Sequence, residues 1–416
     1  MLNKISITNF LSFKDTVTID LLAIDSQTDL KKNTFTKDKT KYHKVMGVFG
    51  YNASGKSNIL KAVMFLRQFI LNSAFTSVST DKIPVQTFLL SKDLDNYSKF
   101  EIEIQIDGNQ YVYGFVLNQD HIKEEYLHQK AYNKVLYKRI ANKIAQKNKD
   151  FKELRQIQTL KNNALVLSLL AVNNTPVATA IVNEMKMIEV MLNADRGVLL
   201  DFTFNNFAHN DEDRQMIKDF VLQSDINIQD LKALERPVSA EDYANKVPPA
   251  FRNLVAGTPG NFFERQLTTV HTVFDDSGKS VGTADFNFFD ESFGTQQFFA
   301  LSGAIVNAIK EGKTIFIDEL DSSLHSFLTK YIIKYFVSSK HNPKNARLFF
   351  TSHDTNILNR ELLRRDEILF VEKDKFGQSQ IFSLAELGER KDRNYEERYL
   401  EGRYGAIPFI RDLEEK

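Results

Sequence analysis

The chain has 416 residues, of which 42% are hydrophobic and 26% are charged, and its formal net charge is zero. This length predicts roughly two to three domain-sized units, and the ordinary composition excludes disordered, collagen-like and disulfide-stapled classes. The lack of cysteine excludes disulfides, Cys-ligated zinc and iron–sulfur clusters.

The sequence shows no feature of a membrane or secreted protein. No apolar run approaches the roughly 20 residues that span a bilayer, and the stretch from Ala300 to Ile309 is interrupted by Ser302, Gly303 and Asn307. The first ten residues alternate like a strand and lack the apolar core of a signal peptide. We therefore expect a soluble, cytoplasmic protein.

The N-terminal part of the chain combines strand-like stretches with one amphipathic helix. Alternation of apolar residues predicts strands over 1–10 and 17–21, and the polar stretch 26–44 predicts a loop. Residues 45–49 have the pattern of a buried strand, and residues 58–72 that of a helix. Further strands are predicted at 100–106, 111–117 and 135–140, the first two joined by the hairpin turn 107–109.

The rest of the chain is predicted to contain a largely helical region, then an irregular stretch, and then alternating strands and helices. Residues 145–225 are predicted to be largely helical with a break at 173–176, and the proline-rich stretch 237–261 is predicted to be irregular. The elements predicted after it are a hairpin (268–274 and 284–289), a helix (295–310), a strand (314–317), a helix (326–338) and a strand (347–351).

Residues 50–57 read Gly-Tyr-Asn-Ala-Ser-Gly-Lys-Ser and fit the pattern G-x-x-x-x-G-K-[ST] of a phosphate-binding P-loop. Gly50 and Gly55 let the backbone turn so that N–H groups face phosphate oxygens, and the following helix adds its positive N-terminal end. Lys56 can reach the β- and γ-phosphates, and the Ser57 hydroxyl can ligate magnesium. The strand before the motif and the helix after it favour this reading over an ordinary glycine turn.

A second chemical element is the apolar strand 314–317, which is followed directly by Asp318 and Glu319. The strand places Asp318 at its tip, near a metal held by the P-loop, and Glu319 one residue further, where it can act as general base towards water. Because many buried strands end in acids, this pattern gains its weight from the P-loop upstream. Asp321 follows in the same segment.

Two further segments are weaker signals when taken alone. Residues 291–297 read Glu-Ser-Phe-Gly-Thr-Gln-Gln and open a helix, so they present either a second anion-binding surface or a plain N-cap. The apolar strand 347–351 delivers His353 to its end, where a neutral imidazole can hydrogen-bond a γ-phosphate or orient water. A lone histidine at a strand end is more often structural.

Together these motifs resemble the ABC-type ATPase heads of the SMC and OLD group, with a Walker A, a Ser-x-Gly-Thr signature, a Walker B ending in Asp-Glu and a strand-end Ser-His. Within that group the chain resembles the stand-alone prokaryotic ATPases of antiphage defence, of the RloA/AbiL type and the PARIS system. The segments that carry this finer resemblance are 7–13 (Ile-Thr-Asn-Phe-Leu-Ser-Phe), 52–58 (Asn-Ala-Ser-Gly-Lys-Ser-Asn), 291–295 and 399–408 (Tyr-Leu-Glu-Gly-Arg-Tyr-Gly-Ala-Ile-Pro).

The resemblance implies an α/β fold, namely an ABC/SMC-type P-loop ATPase head with a mixed β-sheet core flanked by helices and an inserted α+β lid or interaction lobe. It implies ATP and Mg²⁺ as ligands and a homodimer whose heads sandwich two nucleotides. The roles it implies are phosphate binding by Gly50, Asn52, Ser54, Gly55, Lys56, Ser57 and Asn58, magnesium binding by Ser57, Asp318 and Gln86, catalysis by Glu319, γ-phosphate sensing by His353, communication between sites by Asp321, and contact across the γ-phosphate by Ser292 and Gly294 of the second subunit.

Motif spacing divides the chain into the N-terminal part of the head (1–118), an inserted, mostly helical lobe (119–285) and the C-terminal part of the head (286–416). The insertion is too short and irregular for SMC-type coiled-coil arms, and the residues after His353 are too few for a nuclease domain like that of OLD proteins. The resemblance to defence ATPases, taken with these limits, implies a sensor and scaffold in an abortive-infection system that controls a toxic effector, such as a nuclease, on a separate polypeptide.

Other functions remain open at the level of sequence. In the stretch 130–161, lysine and arginine greatly outnumber the two acids Asp150 and Glu153. This stretch is either a solvated surface or the DNA-binding patch of an SMC-like DNA-maintenance ATPase. A nucleotide-gated switch with negligible turnover is a third possibility, and the segment 399–408 is either a packing and subunit-contact element or a terminal turn.

Overall fold

The computed structural model describes residues 1–75, 78, 80–92, 96–149, 151–152, 154, 157, 160–192, 196–224, 228–246, 252 and 262–407. The chain divides into two compact units. Unit 1 comprises residues 1–193, 311–322 and 332–416, and unit 2 comprises residues 194–310 and 323–331.

The secondary-structure elements of the described residues are numbered in chain order. The strands are β1 (Leu2–Thr8), β2 (Val17–Asp20), β3 (Thr34–Lys37), β4 (Thr40–His43), β5 (Val45–Phe49), β6 (Ser98–Ile106), β7 (Asn109–Leu117), β8 (Ile122–Gln129), β9 (Lys134–Ile140), β10 (Lys143–Lys147), β11 (Ile188–Met191), β12 (Asp230–Val238), β13 (Phe262–Phe274), β14 (Ser280–Asn287), β15 (Thr314–Ile317), β16 (Arg347–Ser352), β17 (Ile368–Lys373) and β18 (Ser379–Ser383). The helices are α1 (Lys56–Asn72), α2 (Val166–Val172), α3 (Pro176–Lys186), α4 (Arg196–His209), α5 (Asp211–Leu222), α6 (Ala240–Lys246), α7 (Phe293–Glu311), α8 (Ser326–Val337) and α9 (Tyr395–Leu400).

One mixed sheet of unit 1 carries the P-loop. Its strand order is β11-β15-β16-β5-β17-β18, and all neighbouring pairs are parallel except β17 with β18. The carboxyl ends of parallel strands lie along one edge of a sheet, which is where open α/β sheets bind ligands. The residues that follow β5, β15 and β16, and the end of β17, therefore share that edge.

A second sheet of unit 1 is fully antiparallel, in the order β10-β9-β8-β7-β6-β1-β2. Helix α1 contributes Leu60, Val63 and Leu66 to a buried apolar cluster that also includes residues of both sheets, such as Phe100 and Phe349. Burying one such side chain stabilises the fold by about 1.5–3 kcal/mol. The helix that follows the P-loop is thus fixed by packing as well as by its backbone hydrogen bonds.

Unit 2 combines helices α4, α5 and α7 with the antiparallel sheet β12-β13-β14. The rings of Phe220 and Phe298 stack with centroids 5.0 Å apart. Helices α4 and α7 approach closely where the Thr203 hydroxyl donates to the Ala300 carbonyl (2.7 Å) and accepts from Gly303 N–H (3.2 Å).

Most elements predicted from the sequence are confirmed. The hairpin β6–β7 turns at 107–109, α2 ends and α3 begins around the predicted break at 173–176, and α7, β15, α8 and β16 begin within about two residues of their predicted starts. The mixed α/β character with a P-loop between β5 and α1 is confirmed as well. Of the predicted irregular stretch 237–261, residues 247–251 and 253–261 lie outside the described residues, whereas 237–246 contain the end of β12 and helix α6, so this part of the prediction is wrong.

Two predictions about organisation are wrong. The expected loop at 26–44 contains the hairpin β3–β4, whose turn residues Asp38 and Lys39 have positive φ (49° and 65°) without the glycine that usually marks such a turn. The stretch 119–285 is not mostly helical, because β8 to β14 lie in it beside α2 to α6. Its first part, up to residue 193, also belongs to unit 1 rather than to a separate lobe.

Within the part of the chain that the structure describes, no single helix is long and apolar enough to cross a bilayer. The bent pair α2 and α3, which meet at 101°, reaches that length and apolar content only when the two are taken together. Their side chains Leu170, Ala178 and Ile181 are buried in the core of unit 1.

Candidate functional site

The loop between β5 and α1 adopts the conformation that its glycines permit. Gly50 and Gly55 have φ of 155° and 118°, and Gly55 caps the N-terminus of α1. A Cβ at Gly55 would lie 2.8 Å from Ser12 Oγ, so this position requires glycine for space as well as for conformation. The loop thereby presents the N-terminal end of α1 to an open cavity, the geometry that favours an anion.

Lys56 is the central cation of this cavity, and only 5% of its surface is exposed. Its Nζ donates to the carbonyl oxygens of Gly50 (2.8 Å) and Tyr51 (3.2 Å) and lies 3.5 Å from His353 Nδ1. Burial lowers the pKa of Lys56 to about 8, although nearby carboxylates oppose the shift. A bound anion would therefore stabilise the charged form of Lys56, which burial disfavours.

This depressed pKa predicts a pH dependence of anion binding. Phosphate groups beside Lys56 favour its charged form, so they raise its pKa from about 8 towards the ordinary 10.5. Binding of Mg-ATP should take up a proton near pH 8.5, and affinity should fall by up to about tenfold per pH unit above pH 8. Calorimetry in two buffers of different ionisation enthalpy measures the uptake. Equal heats in both buffers would contradict it.

The acidic side of the cavity is built by the neighbouring strands β15 and β16. The Thr351 hydroxyl donates to Asp318 Oδ1 (2.6 Å) and accepts from Glu319 N–H (2.7 Å), which fixes both acids. The second oxygen, Asp318 Oδ2, is buried and has no hydrogen-bond partner among the described residues. An unpaired buried carboxylate oxygen is costly, and carboxylate and hydroxyl oxygens are the ligands Mg²⁺ prefers. Asp318 and the Ser57 hydroxyl thus fit a hard divalent cation.

Replacing Asp318 with asparagine tests this fit. Asparagine keeps an oxygen for the Thr351 hydroxyl but lacks the negative charge, so the variant should bind Mg-ATP about as weakly as wild-type protein binds ATP in EDTA, a loss of roughly 10–100-fold. Titration with and without magnesium measures the difference. A variant that still gains affinity on addition of magnesium would show that the cation is held elsewhere.

Glu319 and His353 line the same cavity, and Asp321 lies beside His353. Glu319 is exposed and has a positive φ of 50°, a strained conformation of the kind that clusters at functional sites. The Asp321 carboxylate accepts from the backbone N–H of His353 at 3.1 and 3.3 Å and so holds the backbone at this residue. Partial burial, and then the Lys56 ammonium, lower the pKa of His353, so its imidazole is neutral near pH 7.

The cavity has a volume of about 440 Å³. It is lined by Asn52, Ala53, Gly55, Lys56, Ser57, Asn58, Glu319, His353 and Lys373. The structure thus brings together residues from four separate stretches of sequence, three of which carry the predicted motifs. Lys373, at the end of β17, was missed by sequence reasoning because no motif marks it.

Two predicted P-loop residues, Ser54 and Asn58, are hydrogen-bonded to residues outside the P-loop. The Ser54 carbonyl accepts from Ser379 Oγ (2.5 Å), and Ser379 is hydrogen-bonded to Ser12 (2.8 Å). Asn58 Nδ2 also donates to Ser12 Oγ (2.8 Å). The segment 7–13, which carries part of the family resemblance, is therefore tied directly to the P-loop.

The predicted metal ligand Gln86 is not supported by the structure. Its side chain is exposed, its carbonyl accepts from Leu11 N–H (3.0 Å), and it does not line the described cavity. A glutamine in a loop gives too weak a sequence signal to be placed without tertiary contacts.

The signature segment lies in unit 2 and forms an exposed helix start. Ser292 Oγ accepts from Thr295 N–H (3.1 Å), so Ser292 is the N-cap of α7. Phe293 is 56% exposed, with the Arg196 guanidinium 4.0 Å from its ring centre. A Cβ at Gly294 would lie 2.9 Å from the Ser323 carbonyl, so glycine is required there for close approach. The N-cap reading is confirmed, and it leaves the segment accessible.

Comparison with known proteins places this site in a family. The family described as "AAA domain, putative AbiEii toxin, Type IV TA system" matches residues 45–359, which is more than half of the chain. The chain belongs to this AAA-domain family. The matched region contains the P-loop, Asp318, Glu319 and His353.

Solved structures provide more distant similarities. The SMC head domain from Thermotoga maritima has 13% sequence identity and a TM-score of 0.42, with 92% of this chain and 98% of that chain covered. The recombination mediator protein RecF with ATPrS has 12% identity and a TM-score of 0.37 over 92% and 98% of the two chains. No curated protein matches the sequence.

Proposed function

We propose that the chain binds Mg-ATP in the cavity described above and hydrolyses it slowly to ADP and phosphate. The observation that carries the proposal is that Lys56 and Glu319 line one cavity at the carboxyl edge of the parallel strands, with the Asp318 carboxylate close enough to act on the charge of Lys56. Membership of an AAA-domain family supports it.

Different residues would bind the phosphates, bind the magnesium ion and activate the attacking water. Backbone N–H groups at the start of α1 and the Lys56 ammonium would hold the β- and γ-phosphates, and Ser57 and Asp318 would hold the magnesium ion, which neutralises phosphate charge. Glu319, exposed towards the cavity, would accept a proton from the attacking water. The neutral imidazole of His353, a residue whose backbone N–H is held by Asp321, would hydrogen-bond the γ-phosphate.

A second copy of the chain would complete the site. The cavity in unit 1 is open, and the exposed segment with Ser292 and Gly294 offers N–H groups and a hydroxyl at a helix start. In the proposed homodimer this segment of one subunit faces the γ-phosphate bound by the other. ATP would then act as the link between two heads, and hydrolysis would release them.

The proposed biological role is that of a cytoplasmic sensor and scaffold in antiphage defence that controls a separate toxic effector. The description of the family, which names an AbiEii toxin and a type IV toxin–antitoxin system, supports a defence context. The segments 7–13, 52–58, 291–295 and 399–408 support the finer assignment to the RloA/AbiL and PARIS type.

Co-purification with the products of neighbouring genes tests this role. A partner captured with wild-type protein in one nucleotide state and released in the other would support it, because a scaffold must exchange its effector. Absence of any such partner both with ATP and without nucleotide would overturn the defence role while leaving the ATPase assignment intact.

The alternative, a DNA-maintenance ATPase, depends on the basic stretch 130–161, and the structure removes part of its basis. Arg139 is fully buried and donates to the carbonyls of Ala164 and Lys161 (2.6 Å each). Lys130 and Lys138 form ion pairs with acids of the antiparallel sheet of unit 1. Lys143, Lys147 and Lys149 are exposed. DNA affinity that falls steeply with salt would revive this reading.

A further inference from the structure

The segment 399–406, which we call the tail loop, is hydrogen-bonded to the P-loop. The Ala406 carbonyl accepts from Tyr51 N–H (3.1 Å) and from the Tyr399 hydroxyl (2.7 Å). Ala406 N–H donates to Glu372 Oε2 (3.0 Å). A residue more than 300 positions away in sequence therefore fixes the second residue of the P-loop motif.

Tyr51 in turn connects the tail loop to both lysines of the cavity. Its carbonyl accepts from Lys56 Nζ (3.2 Å), and its hydroxyl accepts from Lys373 N–H (3.1 Å). Since Lys56 and Lys373 both line the cavity, a shift of Tyr51 would move the walls of the phosphate site on two sides.

The tail loop is anchored independently of these hydrogen bonds. Tyr399 stacks on Phe370 of β17 with ring centres 5.4 Å apart and planes at 11°, and Tyr404 lies 5.4 Å from the same ring. The Tyr404 hydroxyl donates to Glu389 (2.8 Å). Because β17 pairs with β5, the strand that leads into the P-loop, the loop is docked on the same sheet as the site.

The backbone of the tail loop is held in an unfavourable conformation at its contact with the P-loop. Ala406 has φ of 55°, in the left-handed region that residues with a Cβ rarely adopt. Such outliers persist where surrounding contacts hold them, and they cluster at functional sites. At Ala406 the contacts are two hydrogen bonds, one from Ala406 N–H to Glu372 and one from Tyr51 N–H to the Ala406 carbonyl.

We propose that the tail loop is a positioning element of the P-loop, which presets Tyr51 and thereby sets nucleotide affinity without touching the nucleotide. The inference rests on the proposed function, since it takes Mg-ATP as the ligand. A loop that is already ordered binds its ligand more tightly because less conformational entropy is lost on binding.

A charge-matched pair of variants at Glu372 tests the proposal. E372A and E372Q both remove the negative charge, but only the glutamine keeps an oxygen that can accept from Ala406 N–H. We expect E372A to bind Mg-ATP about tenfold more weakly than wild type and E372Q to stay within about twofold. Hydrogen exchange at the Tyr51 amide of nucleotide-free protein should accelerate in E372A and remain slow in E372Q.

The possible outcomes distinguish a role of the tail loop in positioning the P-loop from a role in the stability of the fold alone. A lower melting temperature of E372A with unchanged Mg-ATP affinity would overturn the inference. Should E372A fail to fold, Y399F removes only the hydroxyl that donates to Ala406, and unchanged affinity in Y399F would overturn it equally. If wild-type protein does not bind Mg-ATP, the proposed function and the effect on affinity both fail, and the exchange rate of the Tyr51 amide then decides only whether the tail loop positions the P-loop.

Discussion

Replacing Lys56 with alanine should reduce Mg-ATP binding by more than about 100-fold. The side chain is the buried cation nearest the expected β- and γ-phosphates, and charge-assisted hydrogen bonds in a partly desolvated site are strong. The variant also loses the bonds from Nζ to Gly50 and Tyr51, so the loop itself loses order. Isothermal titration calorimetry with Mg-ATP measures the loss.

Lys61 provides the matched control for this experiment. It lies on the same helix α1 and is exposed. Lys61→Ala also removes one positive charge from α1 but leaves the cavity intact. The affinity of this variant for Mg-ATP should therefore stay within about twofold of wild type. Equal losses in the two variants would mean that general electrostatics, rather than the P-loop lysine, governs binding.

Glu319→Gln should retain ATP binding while hydrolysis falls by about 10²–10⁴-fold. The amide cannot accept the proton of the attacking water, but it has nearly the shape of the carboxylate, and the backbone N–H of residue 319 keeps its bond to Thr351. ATP then stays bound, and the proposed head-to-head dimer accumulates. Phosphate release and light scattering in the presence of ATP measure the two effects.

The exposed Glu361 offers a control with the same chemical change in unit 1. Glu361→Gln should hydrolyse ATP and scatter light as wild type does. A Glu319→Gln protein that remains monomeric with ATP would refute the sandwich dimer. Phosphate release that is equally low in wild type and in the variant would identify a nucleotide-gated switch without catalytic turnover.

Local motifs were sufficient to predict the conformation of the segments that carry the candidate site residues. The strand 45–49, the glycines of the P-loop and helix α1 follow one another in the chain, so their geometry depends on neighbouring residues and on backbone conformation. The same holds for Asp318 and Glu319 after β15 and for the N-cap at Ser292. Each of these sites is encoded within about ten consecutive residues.

Residues that act through distant contacts were visible only in the structure. Thr351 binds Asp318 because β15 and β16 are adjacent and parallel, an arrangement that the strand order determines. Arg139, which was counted with the basic stretch, is buried, and its guanidinium donates to the carbonyl groups of residues 161 and 164. No spacing rule in a single sequence reports such pairings, since they are settled by the packing of the whole sheet.

The sequence by itself therefore predicted the class of ligand and the residues expected to touch it, because phosphate recognition relies on short stretches of backbone with fixed local geometry. Only the tertiary structure decided what surrounds them, namely Lys373 on the cavity wall and the tail loop behind Tyr51. These contacts join residues hundreds of positions apart. They form only because the strands pair in a particular order and register, and no local sequence pattern specifies that order or register.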